Sequence, residues 1–250
     1  MFGSNTAVKS ITTCLGIVLS ATIASAPIVA MAQDYVPPKR GIPGRREGAG
    51  TRGNCLKGTK PLMPLIPSDA FSATISDRPV FFWYVPSVAS TVTVPPKAEF
   101  KLFDGSRSIH SGSVDLMGGG KVISYQLPAN VMNTALQPGK DYRWQFSVIC
   151  NSNGNRSISF VEGTFQRLQP SATLTEQLNR SSVEERPKVL ATAGVWQDAI
   201  ATLAQQRCNR PQDSKLLASW TRLLQSVQLG NYVNESLAAT CPNVSSTPSR

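Results

Sequence analysis

The sequence predicts an α+β protein: an antiparallel β-sandwich of immunoglobulin-like or fibronectin type III-like form, followed by a small α-helical block. Three observations carry that expectation. Over residues 61–169, short runs rich in β-branched and aromatic side chains are punctuated by Gly, Pro, Asn and Asp. After Pro170 the apolar period changes from two to near 3.6. The composition, 41% hydrophobic and 16% charged with 18 Gly and 18 Pro, is that of a globular chain rich in turns, which excludes a wholly disordered or collagen-like protein.

Seven strands are expected, at 71–75, 80–85, 98–103, 108–114, 121–127, 142–150 and 157–167. Phe100 and Leu102 alternate with Lys101 and Phe103. Likewise Tyr142, Trp144, Phe146 and Val148 alternate with Arg143, Gln145, Ser147 and Ile149, so each strand is expected to bury one face. Seven strands in about 110 residues suit an antiparallel sandwich. Tyr142 follows Leu136 and a Pro138-Gly139 turn at the start of a strand. This resembles the tyrosine corner of such sandwiches, in which the phenol bonds a nearby backbone group; the role expected of Tyr142 and Leu136 is structural.

Two apolar stripes define the main helices. One comprises Val195, Trp196, Ala199, Ile200, Leu203 and Ala204. The other comprises Leu216, Leu217, Trp220, Leu223, Leu224 and Val227, with Asp213 and Ser214 as its N-cap. Weaker helical segments lie at 174–179 and 183–192. The block resembles paired helices of a tetratricopeptide array, but a single pair cannot bury its own stripe. It is therefore expected to pack on the sandwich or on another protein, with Trp196 and Trp220 in a core.

Residues 1–32 read as a secretory signal peptide. Ile11 to Met31 carry no charge, Lys9 precedes them, and Ala30-Met31-Ala32 offers small residues where a signal peptidase reads. Cleavage would leave 218 residues and no span long enough to cross a membrane, hence an exported periplasmic or extracellular protein. Four cysteines would remain, Cys55, Cys150, Cys208 and Cys241, and four allow three pairings. Cys55–Cys150 with Cys208–Cys241 is favoured because it keeps one bridge in each region. Closing loops of about 96 and 34 residues would restrict the unfolded chain by roughly 4.7 and 3.8 kcal/mol. A tetracysteine metal site is not expected, since the four are never fewer than 33 positions apart.

The raw net charge of +10 falls to +9 when Lys9 leaves with the leader, and six of those nine lie within residues 35–60. There Lys39, Arg40, Arg45, Arg46, Arg52, Lys57 and Lys60 face only Glu47 among six glycines. Residues 33–60 are therefore expected to form an exposed basic arm before the sandwich (61–169), the helical block (170–242) and a frayed tail (243–250). Arg40, Arg45, Arg46 and Arg52 are its candidate polyanion contacts. Nucleic acid is not the expected partner of an exported chain; another envelope protein, an anionic lipid surface or an envelope polysaccharide is.

Catalytic chemistry finds little support. His110 is the sole histidine, no G-x-S-x-G is present, and an exposed strand position is expected for it. Glu99, Asp104, Asp115 and Glu162 could in principle pair as glycosidase carboxylates, but nothing in their spacing sets two of them about 5 to 10 Å apart. Gly118-Gly119-Gly120-Lys121 lacks a following Ser or Thr and a helix, so it reads as a hairpin turn rather than a phosphate loop. No catalytic residue, cofactor or metal is expected.

A set of motifs spans some 190 residues in order. It runs through Arg40-Gly41, Pro43-Gly44-Arg45-Arg46, Gly50-Thr51-Arg52-Gly53-x-Cys55, Pro79, Tyr84-x-Pro86 and Glu99-Phe100. It continues with Tyr142-x-Trp144-x-Phe146 to Cys150, Val161-Glu162-Gly163, Gly194-x-Trp196-x-Asp198 and Trp220-x-x-Leu223-Leu224. On these residues the chain resembles an uncharacterised family of exported cyanobacterial proteins defined only as a domain of unknown function. The resemblance implies location and architecture and transfers no active site. It also implies that the arm docks on something, its own sandwich included, because mere solubility would not need this order of Gly, Arg and Thr beside Cys55. The expected function is a non-enzymatic interaction or scaffold module of the cell envelope. The alternatives are a polyanion-, lipid- or polysaccharide-binding protein acting through the arm, and a carbohydrate-active hydrolase.

Overall fold

The computed structural model describes residues 1, 3, 35–38, 46, 49–50, 55–90, 92, 94–129, 136–152 and 155–238. The chain divides into Met1–Ala32 and a second unit, Gln33–Arg250. In the second unit the strands are β1 (Ala49–Gly50), β2 (Leu56–Lys57), β3 (Met63–Pro64), β4 (Phe71–Thr74), β5 (Val80–Val85), β6 (Ser87–Val88), β7 (Lys97–Asp104), β8 (Arg107–Val114), β9 (Lys121–Gln126), β10 (Asp141–Ser152) and β11 (Asn155–Arg167). Four α-helices follow among the described residues: α1 (Ala172–Arg180), α2 (Arg186–Thr192), α3 (Trp196–Asn209) and α4 (Ser214–Gln225). The protein is thus mixed α+β, and all seven expected strands are present.

One sheet runs β1-β11-β10-β7-β8, with β4 also on β11. The long hairpin of β10 and β11 holds register from Asp141 opposite Gln166 to Ser152 opposite Asn155. The expectation of a wholly antiparallel sandwich needs correction at one place: β4 lies parallel to β11, Phe71–Thr74 against Thr164–Arg167. β10 occupies one edge of β11, so β1 and β4 share the other, β1 opposite Phe160 and Ser159. A second sheet has the order β3-β5-β9, and β2 pairs with β6.

The two larger sheets meet through aromatic rings. Phe81 and Trp83 of β5 pack on Phe100, Trp144, Phe146 and Phe165 of the six-stranded sheet, with ring centroids 4.3 Å apart for Trp83–Phe146 and 4.9 Å for Phe81–Phe100. The opposite face of β5 belongs to the C-terminal region. Phe82 lies beside Ala204 and Cys208 of α3, and Tyr84 packs on Tyr232 at 5.3 Å. All six residues of β5 are consequently buried, and its sequence VFFWYV is a continuous apolar run rather than an alternation. Here the expectation of one buried face per strand fails, because helices cover the side a two-layer sandwich would leave to water.

α3 fixes the helical block in place. Its Trp196 Nε1 donates to the Leu65 carbonyl at 2.8 Å, and its Gln197 Nε2 donates to the Val80 carbonyl at 3.1 Å. The Asp198 carboxylate accepts the Ile75 N–H at 3.0 Å. α4 starts as read, with Asp213 accepting from the N–H groups of Lys215 and Leu216. Trp196 and Trp220 are fully buried. α3 therefore covers its apolar stripe on strands of the same chain and α4 packs on α3, while Leu217 of the expected second stripe is exposed.

Asp198 is itself buried, and among the described residues no cation pairs with it. Desolvation pushes its pKa up from 3.8 to about 6, against hydrogen bonds from Thr74, Ile75 and Ser76 that favour the charged form. A carboxyl that holds its proton more tightly when folded adds stability that is complete below the unfolded pKa and is lost as pH rises through about 6. Denaturant melts should therefore lose of order 2 kcal/mol between pH 4 and pH 6.5 from this group. Asp198→Asn should flatten the profile in that window, and an unchanged slope in the variant would refute the assignment.

Candidate interaction surface

The arm is where structure and expectation differ most. Some of its described residues are docked on the body, whereas Val36, Pro37, Lys57, Gly58 and Thr59 are exposed. Tyr35 is 2% exposed and meets the Trp196 ring edge-on at 5.0 Å, while the Val36 N–H donates to the Ala191 carbonyl. Arg46, expected as a polyanion contact, donates instead to the carbonyls of Ile66 at 2.9 Å, Val227 at 2.6 Å and Gln228 at 3.2 Å. The last two carbonyls follow the C-terminus of α4, where backbone acceptors lack intrahelical donors and the helix dipole favours a cation. Lys60 pairs with Glu235 and lies over the Tyr232 ring. Arg40, Arg45 and Arg52 lie outside the described residues.

The Cys55–Cys150 bridge is formed, with Cα atoms 6.0 Å apart. Cys208 is also disulfide-bonded; Cys241, its expected partner, lies outside the described residues, as do residues 243–250. Tyr142 is buried, and its hydroxyl accepts the Gln137 N–H at 2.7 Å, beside the buried Leu136. The Leu136 carbonyl in turn accepts from the Arg167 guanidinium at 3.0 Å. The corner therefore closes on the backbone five residues upstream and on the end of β11.

The four candidate carboxylates have four separate sets of partners. Glu99 accepts from Lys101 at 2.9 Å and from Ser111 at 2.8 Å. Burial would raise its pKa, but those hydrogen bonds and the Lys101 charge together hold it below the ordinary value. The hydrogen bond from Lys140, at 2.7 Å, does the same for Asp104, with Arg107 adding to it. Glu162 pairs with Arg143, and Asp115 accepts the Met117 N–H at 2.8 Å. Neither lowered carboxyl has the raised pKa that a glycosidic general acid needs.

His110 is half-buried rather than exposed. Its Nε2 lies 2.7 Å from the Tyr125 hydroxyl, a bond that joins β8 to β9 across the two sheets. Burial lowers its pKa. Gly112, two residues on, leaves room for that phenol: a Cβ there would lie 2.0 Å from the Tyr125 oxygen.

The glycine run also differs from its expected form. β8 and β9 belong to different sheets, so 115–120 is a crossing between sheets and not a hairpin turn. Met117, Gly118, Gly119 and Gly120 all have positive φ. A Cβ on Gly119 would meet the Pro86 carbonyl at 2.1 Å, and the N–H groups of Gly119 and Gly120 donate to Leu116 and Val85. Those two donors are occupied within the chain, which removes them from any phosphate.

This crossing forms one wall of a groove of about 570 Å³. Val114, Leu116 and Met117 line that side, and Val88, Val92, Pro95 and Pro96 line the other. Lys97, Ser113 and Asp115 supply the polar groups. The volume is that of a ligand site, and the two prolines fix φ in the second wall. Three contacts brace it: Val88 N–H to the Gly118 carbonyl at 3.1 Å, Ala89 N–H to the Cys55 carbonyl at 2.8 Å, and the Cys55 disulfide to β10. Sequence reasoning passed over 87–96. The signal lay in Val92-Thr93-Val94-Pro95-Pro96, an apolar run that two prolines bar from a central strand, and Val94 is indeed exposed.

Among the described residues no three His, Cys, Asp or Glu side chains gather to hold a metal ion. No helix among them is long and apolar enough to cross a membrane. The fold and groove describe a disulfide-braced α+β body with a preformed apolar surface. The family model described as Domain of Unknown Function (DUF928) matches residues 47–237, and the chain belongs to that family. Comparison with curated proteins and with solved structures gave no match.

The docking of Arg46 has a direct consequence for stability. Arg46→Ala should cost about 1–2 kcal/mol in denaturant melts, because two part-buried carbonyls lose a charged donor. Arg46→Lys should recover less than half, since one ammonium cannot reproduce a planar fork across three carbonyls. Full recovery by lysine would show that charge alone matters there.

Proposed function

We propose that the protein is an exported, non-enzymatic interaction module of the cell envelope, of the cyanobacterial kind the motif resemblance implies, and that it presents the braced groove to another envelope component. The observation that carries this reading is the groove itself: open, ligand-sized, mainly apolar, and held in shape by backbone bonds and a disulfide. Surfaces of that type gain binding energy by excluding water, and their preformed shape reduces the ordering cost. Export is supported by the charge-free segment before Ala32, the Ala-x-Ala site and the even number of cysteines beyond it. The Tyr142–Gln137 bond supports a sandwich of immunoglobulin-like or fibronectin type III-like kind.

The polyanion reading loses its described anchor, because Arg46 is spent on carbonyls inside the protein. The hydrolase reading has four candidate carboxylates with four separate sets of partners.

The test is affinity capture from a detergent-solubilised envelope extract at low salt, with the tagged full chain exported and cleaved by its host. A specific partner should be retained by the native protein and reduced at least tenfold by Val92→Glu, which sets a charge in the groove wall. Retention unaffected by that change would place the contact elsewhere, and no retained partner would count against the interaction reading.

A further inference from the structure

Resting on the interaction reading above, we propose that the groove takes an extended stretch of another polypeptide, which adds to the free edge of β8 as a new strand and sets alternate apolar side chains into the groove. β8 ends the six-stranded sheet, and among the described residues β7 is its one paired neighbour. A terminal strand offers a row of unpaired N–H and C=O groups to any extended chain, and an adjoining pocket then selects side chains.

The edge is guarded along one half only. A register shift between Leu102 and Phe103 leaves Ile109 as a bulge, and Arg107 stands at the start of the strand. Bulges and charges of this kind discourage pairing. From His110 to Val114 the register against Ala98–Leu102 is regular, and the sequence His-Ser-Gly-Ser-Val contains no Pro, Lys or Glu. This unguarded half leads into the groove, because Ser113 and Val114 belong both to β8 and to the groove wall. It is also held rigid, by the His110–Tyr125 bond and by the seat of Tyr125 over Gly112. A fixed edge does not have to be ordered on binding.

The chemistry of the groove selects the occupant. Among its described lining residues Lys97 and Asp115 are the charged ones and they cancel, which gives a polyanion no net charge to follow there. No aromatic side chain among the described residues lines it, which leaves a sugar without a stacking platform. A neutral peptide backbone with small or medium apolar side chains matches both the polar edge and the apolar walls. Five residues of edge accommodate about 17 Å of extended chain.

The probe is a set of blocked, fluorescent hexapeptides that alternate threonine with valine, isoleucine, leucine, methionine or phenylalanine, tested on the full chain after export. Each is read by anisotropy and by amide hydrogen exchange. At least one should bind and slow exchange at 110–114 tenfold or more, while the same peptide with a central proline should not. Val92→Glu should weaken binding at least tenfold with exchange elsewhere in the sheet unchanged, which separates lost contact from lost fold. Peptide binding without protection at 110–114 overturns strand addition. So does protection that grows with protein concentration in the absence of peptide, which would make the occupant a second copy of this chain. Capture of an envelope partner at the groove, with every hexapeptide failing to bind, ends strand addition and leaves the interaction reading standing.

Discussion

The burial of β5 on both faces is the constraint on which the rest of the structure depends. A single strand bearing Phe81 and Trp83 on one side and Phe82 and Tyr84 on the other cannot satisfy both in a two-layer sandwich. One face requires the six-stranded sheet and its Trp144, Phe146 and Phe165; the other requires helices. The helical block is accordingly the third layer of one core. Its stripe of Trp196, Ile200 and Leu203, too narrow to be buried by a lone helical pair, is buried by the strands that it covers. Polar links make the stacking specific. Trp196 and Gln197 bond backbone carbonyls of the strand region, and Asp198 accepts from Ile75 at the end of β4.

The N-terminal segment completes that stacking from outside. Tyr35 enters beside Trp196, Arg46 joins the loop after β3 to the end of α4, β1 pairs with two residues on the outer edge of β11, and Cys55 is bonded to β10. Each contact joins elements distant in sequence. The last of them also props the groove, since the Cys55 carbonyl holds Ala89 at the head of the proline-stiffened wall. A segment that resembles a soluble leader by composition thus acts as a strap, and the surface proposed for binding inherits its rigidity from it.

What could be read in the sequence divides along the range of the physical signal. Strands β7, β10 and β11 and helices α3 and α4 announce themselves because side-chain period is a local property, set by the geometry of ten or so residues. The Tyr142 corner was visible for the same reason, a Leu, a Pro-Gly turn and a Tyr within seven positions. The three-layer stacking was written only in the unbroken apolar run of β5, which fits a strand buried twice as well as a strand beside an aromatic edge. The parallel β4–β11 contact and the two-residue strands β1, β2, β3 and β6 leave no period at all, being fixed by partners up to about a hundred residues away. His110 was misjudged because its exposure is decided by Tyr125, on a strand of the other sheet. The groove escaped because its walls are connections, whose shape comes from tertiary bonds rather than from propensity.

The fate of the arm's charge shows why net charge is a poor guide to partners. Six of the nine charges expected on the exported chain lie in residues 35–60, and such a density ordinarily suggests a polyanion. A guanidinium, however, carries five donors on a weakly hydrated plane, so it serves equally well to collect carbonyls that no backbone donor can reach. Arg46 does this at the end of α4, and Lys60 is neutralised by Glu235. Two of the seven cations in the segment are thus engaged within the protein among residues that the raw count treats as free. The surface proposed for recognition is the groove, where among the described residues Lys97 and Asp115 offset each other and the walls are valine, proline, leucine and methionine. Selectivity there has to come from shape and backbone hydrogen bonding, and it should be far less sensitive to salt than a basic protein's composition suggests.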